Sequence, residues 1–423
     1  MRSNYRKIGS YIRLVDERDS YRKIKTLLGL TIDKSFIPSV ANTIGSDMAN
    51  YKIIRRGQFA CSLMQVRRDK KIPVAYLGDI NEAIISQAYP VFEVSDQNKL
   101  LPEYLMMWMR RSEFDREACF YAVGGVRGSL EWEDFCNMEL PVPSIQKQRE
   151  IVQEYQTIVN RIHLNYQLNQ KLEEAAQTIY KQWFVDFEFP ISAEYAAAIG
   201  KPELENQPYK SSGCEMVFNE VLEQEIPKGW QVKPISNTIS VKDGTHDSPQ
   251  PVDLGKPLIT STHLGTYDVL LDDTYNISEE DFQDINKRSK VDQCDILMSM
   301  IGTVGNISYV LRDDINYAIK NIGLFKTSER KDLSAYIFMY LKSRAITKYI
   351  ETCLLGSTQN YISLGELRNI PIFFPPSDIL FNCTTSLDKI IRQAYLSTRD
   401  IHLCQSLIQI ALGRMAQQNK EYE

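Results

Sequence analysis

Two short glycine-led loops carry the polar side chains that stand out most in this sequence. They are Gly124-Gly125-Val126-Arg127-Gly128-Ser129 and Gly356-Ser357-Thr358-Gln359-Asn360. Arginine matches the major-groove edge of guanine, glutamine and asparagine match adenine, and glycine lets a backbone approach a phosphate. A single loop of this kind is more often an ordinary turn, but a matched pair with different polar residues favours base readout. The candidate DNA-binding residues of the two loops are Gly125, Arg127, Ser129, Thr358, Gln359 and Asn360.

A run of cations lies in the first half of the chain, directly after an apolar segment. It consists of Arg67, Arg68, Lys70 and Lys71. Such a loop suits the phosphate backbone of a nucleic acid, because each lysine or arginine can neutralise a phosphate. A solvated charge run is the more common interpretation of a single cluster, and the sequence leaves both open.

The second half of the chain carries two further polar segments. The candidates are Lys242, Thr245, His246 and Ser248 in the turn 242–249, with Ser261 and His263 in the cluster 261–263. Their hydroxyl, amino and imidazole groups could contact base edges or phosphates. A plain loop explains either segment equally well.

Motifs of nucleotide-dependent or DNA-modifying enzymes are absent from the sequence. There is no G-x-x-x-x-G-K-[ST] loop, no G-x-G-x-x-G, no G-x-S-x-G and no Asn/Asp-Pro-Pro-aromatic motif. The eight cysteines form no C-x-x-C pair and the four histidines form no H-E-x-x-H motif. We therefore expect no metal site and no catalysis by this chain.

Length and composition indicate a globular protein of several domains. With 423 residues, a domain size of roughly 150 residues suggests two or three domains. No uncharged apolar run reaches the roughly 18 residues of a membrane helix, and no secretory signal is visible, so we expect a cytoplasmic protein with reduced cysteines. The net charge is −5, with seven acidic and two basic residues in 190–227 alone, whereas residues 1–143 carry a net charge of +3.

The sequence repeats itself at a constant offset of 232 residues. Tyr104 aligns with Tyr336 and Gly124 with Gly356, and a proline-rich stop ends each copy. A long segment rich in Gln, Leu and Ile follows each stop and predicts a helix, over residues 144–186 and 378–418, because apolar residues recur at a spacing of 3 and 4. Two helices with matching apolar stripes favour pairing.

The repeat predicts an α+β fold in which each of two globular domains is followed by a long helix. We place the first domain at 1–143, its helix at 144–189, an acidic connector at 190–227, the second domain at 228–376 and the last helix at 377–423. Within the connector, residues 216–222 are compatible with a short helix. Polar and aromatic residues outside the paired stripes exceed what two helices bury, which suggests a docked partner protein. The candidate partner-binding residues are Gln148, Tyr180, Trp183 and Phe184.

Several longer motifs resemble those of one known family. They are the junction from Leu140-Pro141-Val142-Pro143 to Gln148-Arg149-Glu150-Ile151-Val152, residues 171–187, 208–213, 225–230, 242–249 and 256–261, and Gly302-Thr303-Val304-Gly305. In combination, they resemble the specificity subunit of type I restriction-modification systems over almost the whole chain. Thr303 therefore joins the candidate DNA-binding residues.

The resemblance implies a non-catalytic reader of double-stranded DNA. Its two target-recognition domains would each read one half of a bipartite sequence, and its helices would pack as an antiparallel coiled coil that sets the gap between the halves. It would hold two modification (methyltransferase) subunits and two restriction (translocase/endonuclease) subunits. No cofactor is expected in this chain, because S-adenosylmethionine would bind in the modification subunit.

Two other functions stay open on the residues alone. One is a two-domain protein-binding adaptor with a helical scaffold, which strong salt-dependent DNA binding by the complex would exclude. The other is a solitary DNA-modifying enzyme, which the missing cofactor motif disfavours.

Overall fold

A computed structural model describes residues 5–20, 23–39, 48–122, 128–210, 214–354 and 360–416 of the chain. These residues form two units. Unit 1 is drawn from Met1–His163 and His402–Glu423, and unit 2 is Leu164–Ile401. In the described ranges, no helix is both long enough and apolar enough to cross a membrane.

Within its described residues, unit 1 contains ten strands and four short helices, followed by the start of a long helix. The strands are β1 (Tyr5–Lys7), β2 (Ile12–Val15), β3 (Leu27–Leu30), β4 (Phe36–Pro38), β5 (Lys52–Arg55), β6 (Gln58–Cys61), β7 (Val74–Tyr76), β8 (Glu82–Ile85), β9 (Val91–Val94) and β10 (Glu139–Pro141). The helices are α1 (Val66–Asp69), α2 (Pro102–Met109), α3 (Ser112–Tyr121), α4 (Trp132–Asn137) and the long α5 (Ile145–Phe184). The sheets are β2-β9-β6-β7, which is antiparallel, β4-β3-β8-β5, in which β3 and β8 are parallel, and the pair β1-β10.

The part of unit 2 that the structure describes contains thirteen strands, five short helices and the second long helix. The strands are β11 (Glu188–Pro190), β12 (Pro208–Lys210), β13 (Met216–Asn219), β14 (Gln224–Pro227), β15 (Gln231–Pro234), β16 (Val241–Asp243), β17 (Lys256–Ile259), β18 (Tyr275–Ile277), β19 (Ile296–Ser299), β20 (Ile307–Tyr309), β21 (Ala318–Ile319), β22 (Ile322–Phe325) and β23 (Pro371–Phe374). The helices are α6 (Ala193–Ala198), α7 (Glu279–Ser289), α8 (Lys331–Leu341), α9 (Arg344–Cys353), α10 (Leu364–Arg368) and α11 (Ser377–Arg414). Ser278 and Ser363 cap α7 and α10, because their hydroxyls accept the N–H groups of Asp281 (3.0 Å) and Glu366 (3.1 Å).

The two units share one topology. The sheet β16-β22-β19-β20 repeats the order of β2-β9-β6-β7, and β17 pairs in parallel with β21 as β3 does with β8. At the offset of 232 residues, even a tertiary hydrogen bond recurs. The Trp108 Nε1–H donates to the Glu139 carbonyl at 3.1 Å, and the hydroxyl of Tyr340 donates to the Pro371 carbonyl. The predicted α+β class is confirmed.

The two long helices pack against each other in opposite directions. In unit 2, the side-chain amide of Asn165 donates to Asp400 (2.5 Å) and that of Asn169 to Thr398 (3.0 Å). In unit 1, Ile151 near the start of α5 shares a buried cluster with Leu412 near the end of α11. The start of each helix thus lies beside the end of the other, which confirms the antiparallel coiled coil that the resemblance implied.

The short helix considered over residues 216–222 was wrong, because this segment forms the β13–β14 hairpin. The Asn219 carboxamide oxygen accepts the N–H groups of Val221 and Leu222, both at 3.1 Å. This local hydrogen bonding favours a turn over a continuing helix. Glu223 completes the turn with a left-handed φ of 52°, after which β14 pairs back onto β13.

Candidate nucleic-acid interface

The cation run of unit 1 lies in the connection between β6 and β7. Arg67, Arg68 and Lys70 are exposed and Lys71 is partly exposed. Arg68 contacts Asp69 at 2.7 Å, and its hydrogen bond holds the pKa of that carboxyl below the usual range. Lys71 lies 3.3 Å from Asp33. Among the residues described, no acidic side chain lies within 4 Å of Arg67 or Lys70, so these two cations are the better placed to meet a phosphate.

Backbone hydrogen bonds join this connection to the end of the first glycine-led loop. Leu130 N–H donates to Leu63 O (2.9 Å) and Arg67 N–H to Gly128 O (3.3 Å). Gly128 has a φ of +42°, and a Cβ there would lie 2.5 Å from the Arg67 Cβ, so a larger residue would push the loops apart. The exposed Ser129 therefore lies beside the cation run, whereas Gly125 and Arg127 fall outside the described residues.

Unit 2 joins the equivalent two loops in the same way. Gly302 N–H donates to Asn360 O (3.2 Å), and Ile362 N–H donates to Met300 O (3.0 Å). Thr303 and Asn360 are both exposed at this junction. Thr358 and Gln359 lie outside the described residues. Both loops of each unit carry residues that the sequence analysis predicted to bind DNA. The fold brings the two loops of each unit together.

A second polar cluster of unit 2 is centred on His246. Its Nε2 lies 2.8 Å from Asp243 Oδ2 and its Nδ1 lies 2.8 Å from Asn321 Oδ1. Arg288 reaches the same carboxylate at 3.1 Å and also donates to the Gly244 carbonyl at 2.7 Å. The imidazole is therefore held at the surface by fixed partners. Sequence reasoning missed Arg288 and Asn321, since nothing local marks either as a neighbour of His246.

A close backbone approach positions the rest of the turn 242–249. Thr245 N–H donates to Ile319 O at 3.0 Å, and a Cβ on Gly244 would lie 2.3 Å from that carbonyl oxygen, so only glycine fits here. The amino group of Lys320, also missed from the sequence, donates to the Ser248 hydroxyl at 2.5 Å. The exposed Ser248 and the half-buried Thr245 thus share a surface with His246.

Two predicted residues have other surroundings. Lys242 lies within β16 and points to the opposite face of that strand from Asp243, because side chains alternate along a strand. His263 caps its own short turn, since its Nδ1 accepts the Thr260 N–H at 3.0 Å. The half-buried Ser261 begins that turn. Lys320 N–H donates to Ile259 O at 2.9 Å, which places residues 259–263 beside the His246 cluster.

Three of the four predicted partner-binding residues need correction, because they are buried. Gln148 is fully buried, where its carboxamide binds Leu101 N–H and the carbonyls of Lys99 and Pro143, each at 2.9 Å. Tyr180 and Phe184 are buried in the core of unit 2, and Trp183 is half-buried against it. Gln148, Tyr180 and Phe184 are therefore structural residues, whereas the half-buried Trp183 stays a predicted partner contact. Across the described residues, no group of three or more His, Cys, Asp or Glu side chains could hold a metal ion.

Comparisons with known proteins agree with this architecture. Residues 67–174 and 227–394 match the family described as type I restriction modification DNA specificity domain. The chain is similar to the MjaIX specificity subunit of Methanocaldococcus jannaschii, with 23% identity over 79% of this chain and 76% of that protein. It is also similar to the HindI specificity subunit of Haemophilus influenzae, with 24% identity over 72% of this chain and 74% of that protein.

A solved structure shares the fold. The crystal structure of a type I restriction-modification S subunit from M. genitalium superposes with a TM-score of 0.58 at 12% identity, covering 97% of this chain and 95% of that one. With the family model matching well over half of the sequence, the resemblance noted above is confirmed. The chain belongs to the type I restriction-modification DNA specificity family.

Proposed function

We propose that this chain reads a bipartite DNA sequence as the specificity subunit of a type I restriction-modification complex. One observation carries the proposal. In both units, equivalent backbone hydrogen bonds join the same two loops, Leu63 with Leu130 and Met300 with Ile362, while the exposed side chains on those loops differ. A conserved frame with divergent polar residues is suited to reading two different half-sites.

The two units would use different mixtures of contacts. Unit 1 offers Arg67 and Lys70, whose charges suit phosphates. Unit 2 offers neutral groups at the equivalent place, Thr303 and Asn360, and adds His246, whose position is fixed by Asp243 and Asn321. Neutral hydrogen-bonding groups suit base edges. We keep residues 1–143 and 228–376 as the proposed target-recognition domains.

The antiparallel helices would fix the number of base pairs between the half-sites. A helix has a constant rise per residue, and half-sites about one DNA turn apart present the same groove face. A change in helix length should therefore change the spacing of the target and leave the half-site sequences intact.

Partner subunits would supply the chemistry. In unit 1, an apolar stripe on α11, consisting of Leu403, Leu407 and Ile410, is more than half exposed at each position. Such a stripe supports docking of another protein. We propose two modification subunits and two restriction subunits as partners in the cytoplasm, with S-adenosylmethionine bound in the modification subunit and no catalytic role for this chain.

The test is to co-express this chain with its modification subunit in an unmethylated host and map N6-methyladenine by single-molecule sequencing. We expect one split motif with a fixed gap. The control is the modification subunit expressed alone, which should leave that motif unmethylated. An assembled complex that methylates an unsplit motif, or none, contradicts the proposal.

A further inference from the structure

In unit 2, the chain passes from one sheet to another through two residues, Lys320 and Asn321. Strand β21 belongs to the sheet β18-β17-β21, and β22 belongs to the sheet β16-β22-β19-β20. Asn321 makes this crossing with a left-handed φ of 54°, a conformation that is costly for residues other than glycine. Such a backbone persists only where the surrounding structure holds it in place.

Three neighbouring segments hold the crossing by main-chain hydrogen bonds. The Asn321 N–H donates to the Thr245 carbonyl at 3.0 Å, and the Asn321 carbonyl accepts the Met300 N–H at 3.3 Å. The Lys320 N–H donates to the Ile259 carbonyl at 2.9 Å. The crossing thus lies between the turn that carries Thr245 and the loop that follows β19, which are both candidate DNA-binding segments.

The amino group of Lys320 is held at this surface without a negative partner. Lys320 is half-buried, and its amino group donates to the Ser248 hydroxyl at 2.5 Å. Within the described ranges of the chain, no carboxylate oxygen lies within 4 Å of this amino group. An ammonium group has three N–H donors, and the Ser248 hydroxyl accepts one of them. A ligand with hydrogen-bond acceptors would therefore be stabilised here.

The edge of a base fits this position better than a phosphate does. Asp247 is exposed in the same turn as Ser248, and its carboxylate repels an approaching phosphate. In the major groove, guanine presents two neighbouring acceptors, N7 and O6, whereas adenine and thymine each present one acceptor beside an amino or a methyl group. Because a lysine side chain only donates hydrogen bonds, guanine is its best match among the bases.

Unit 1 makes the same passage between sheets with different residues. Residues 86–90 connect β8, in the sheet β4-β3-β8-β5, with β9, in the sheet β2-β9-β6-β7. This segment, Ser86-Gln87-Ala88-Tyr89-Pro90, contains no lysine or arginine. A cation at the crossing is therefore a feature of unit 2. Such a difference is what two domains that read different half-sites require.

We propose that Lys320 is a specificity-determining residue, which donates to N7 and O6 of a guanine in the half-site that unit 2 reads. This inference rests on the proposed function. Ser248 restricts the position of the Lys320 amino group, and recognition sites are precise where hydrogen bonds lock the rotamers of their side chains. Lys320 thereby adds a direct base contact to the neutral groups of unit 2.

The first test changes the protein. Lys320→Met removes the donors, and Lys331→Met removes the same charge from the exposed start of α8, beyond the other end of β22. The assembled complex with the modification subunit is assayed for methylation of duplexes that carry the mapped motif with each base pair replaced in turn. We expect the wild type to prefer G·C at one position by at least about tenfold, and Lys320→Met to reduce that preference below about threefold. Lys331→Met should leave every preference unchanged.

The second test changes the DNA and needs no loss of a side chain. Each guanine of the motif is replaced in turn by 7-deazaguanine, which lacks the N7 acceptor, and binding of the duplex to the complex is measured by titration. One replacement should weaken binding by the wild type at least about fivefold, because a hydrogen bond from a charged donor is lost. The same replacement should change binding by Lys320→Met less than about twofold, because this variant has no such bond to lose.

Ser248→Ala keeps the test decisive if Lys320→Met does not fold. Ser248 is exposed, so its hydroxyl can be removed without loss of packing, and thermal unfolding of both variants checks their folding. Release of the Lys320 amino group should reduce the preference for guanine at the same position about threefold. An unchanged preference would contradict the proposed contact.

Other results would also contradict the contact and leave the proposed function intact. One is a split motif without a G·C pair. Another is a uniform loss of binding by Lys320→Met on all sequences with a salt slope lower by about 1, which would make Lys320 a phosphate contact. If the wild-type complex methylates an unsplit motif, or none, the proposed function itself is wrong.

Discussion

The two units use one backbone arrangement for different surfaces. In each, a connection between two sheet strands is hydrogen-bonded to the end of a glycine-led loop, through Arg67 with Gly128 in unit 1 and Gly302 with Asn360 in unit 2. Unit 1 places cations there, and unit 2 places neutral polar groups. Main-chain hydrogen bonds preserve the position of the loops without constraining their side chains, so the exposed side chains can differ while the backbone arrangement stays the same.

The units also differ in how their helices are covered. At the end of α5, Phe184 is buried in unit 2 and its ring lies 4.8 Å from that of Tyr336. The equivalent position near the end of α11 is Ala416, which is partly exposed. At this pair of equivalent positions, the helix end of unit 2 is therefore the more deeply buried of the two.

The largest expected effect concerns the Phe184 ring, which is buried in the core of unit 2. Phe184→Ala should lower the free energy of unfolding by about 3–5 kcal/mol, because it removes a buried aromatic ring from a packed core. The measurement is denaturant-induced unfolding of the purified chain. Phe218→Ala is the control in the same unit, since Phe218 is 65% exposed, and it should cost less than about 1 kcal/mol. An equally small loss for Phe184→Ala would contradict its role in the core and would again favour a role in binding a partner.

The next effect separates the charged loop of unit 1 from the neutral loop of unit 2. Lys70→Ala should weaken DNA binding by the assembled complex similarly on all sequences and lower the salt slope by about 1, because one phosphate contact is lost. The measurement is affinity for specific and unrelated DNA at several salt concentrations. Thr303→Ala, at the equivalent place in unit 2, should leave the slope unchanged. Equal slopes for Lys70→Ala and the wild type would contradict a phosphate contact.

The smallest effect tests the hydrogen bonds that Glu173 of α5 accepts from Tyr267 and Lys342 in unit 2. Burial alone would raise the pKa of Glu173, but hydrogen bonds from Lys342 and Tyr267 outweigh it and hold the pKa below its ordinary value of 4.5. The stabilisation is therefore present above pH 4.5 and is lost as the pH falls through the lower folded-state pKa. Glu173→Gln should reduce the free energy of unfolding by about 1 kcal/mol at neutral pH.

The pH dependence of that variant distinguishes charge from packing. The difference between the wild type and Glu173→Gln should shrink as denaturant unfolding is repeated from pH 6 down to pH 3. Gln405→Glu is the matched control, because Gln405 is the equivalent position in α11 and is exposed. It should give little change at any of these pH values. A difference for Glu173→Gln that is constant with pH would mean that the carboxylate charge does not contribute.

Much of the fold follows from local pattern. The helices predicted over residues 144–186 and 378–418 are α5 (Ile145–Phe184) and α11 (Ser377–Arg414), because a helical repeat of apolar residues is a local property. The 232-residue repeat likewise predicted two equivalent units. Local hydrogen bonds explain why the helix considered over residues 216–222 was wrong, because the Asn219 side chain forms a turn in a segment that apolar composition alone would allow as a helix.

The sequence by itself thus determined the repeat, the two long helices and the polar loops from which a site could be built. Only the tertiary structure decided which loops meet, since the bonds between Met300 and Ile362 or between Thr245 and Ile319 join residues far apart in the chain. It also decided that Tyr180 and Phe184 face the core of unit 2. The physical reason is that an apolar pattern shows that a face will be buried, whereas the identity of the surface that buries it depends on the packing of distant segments.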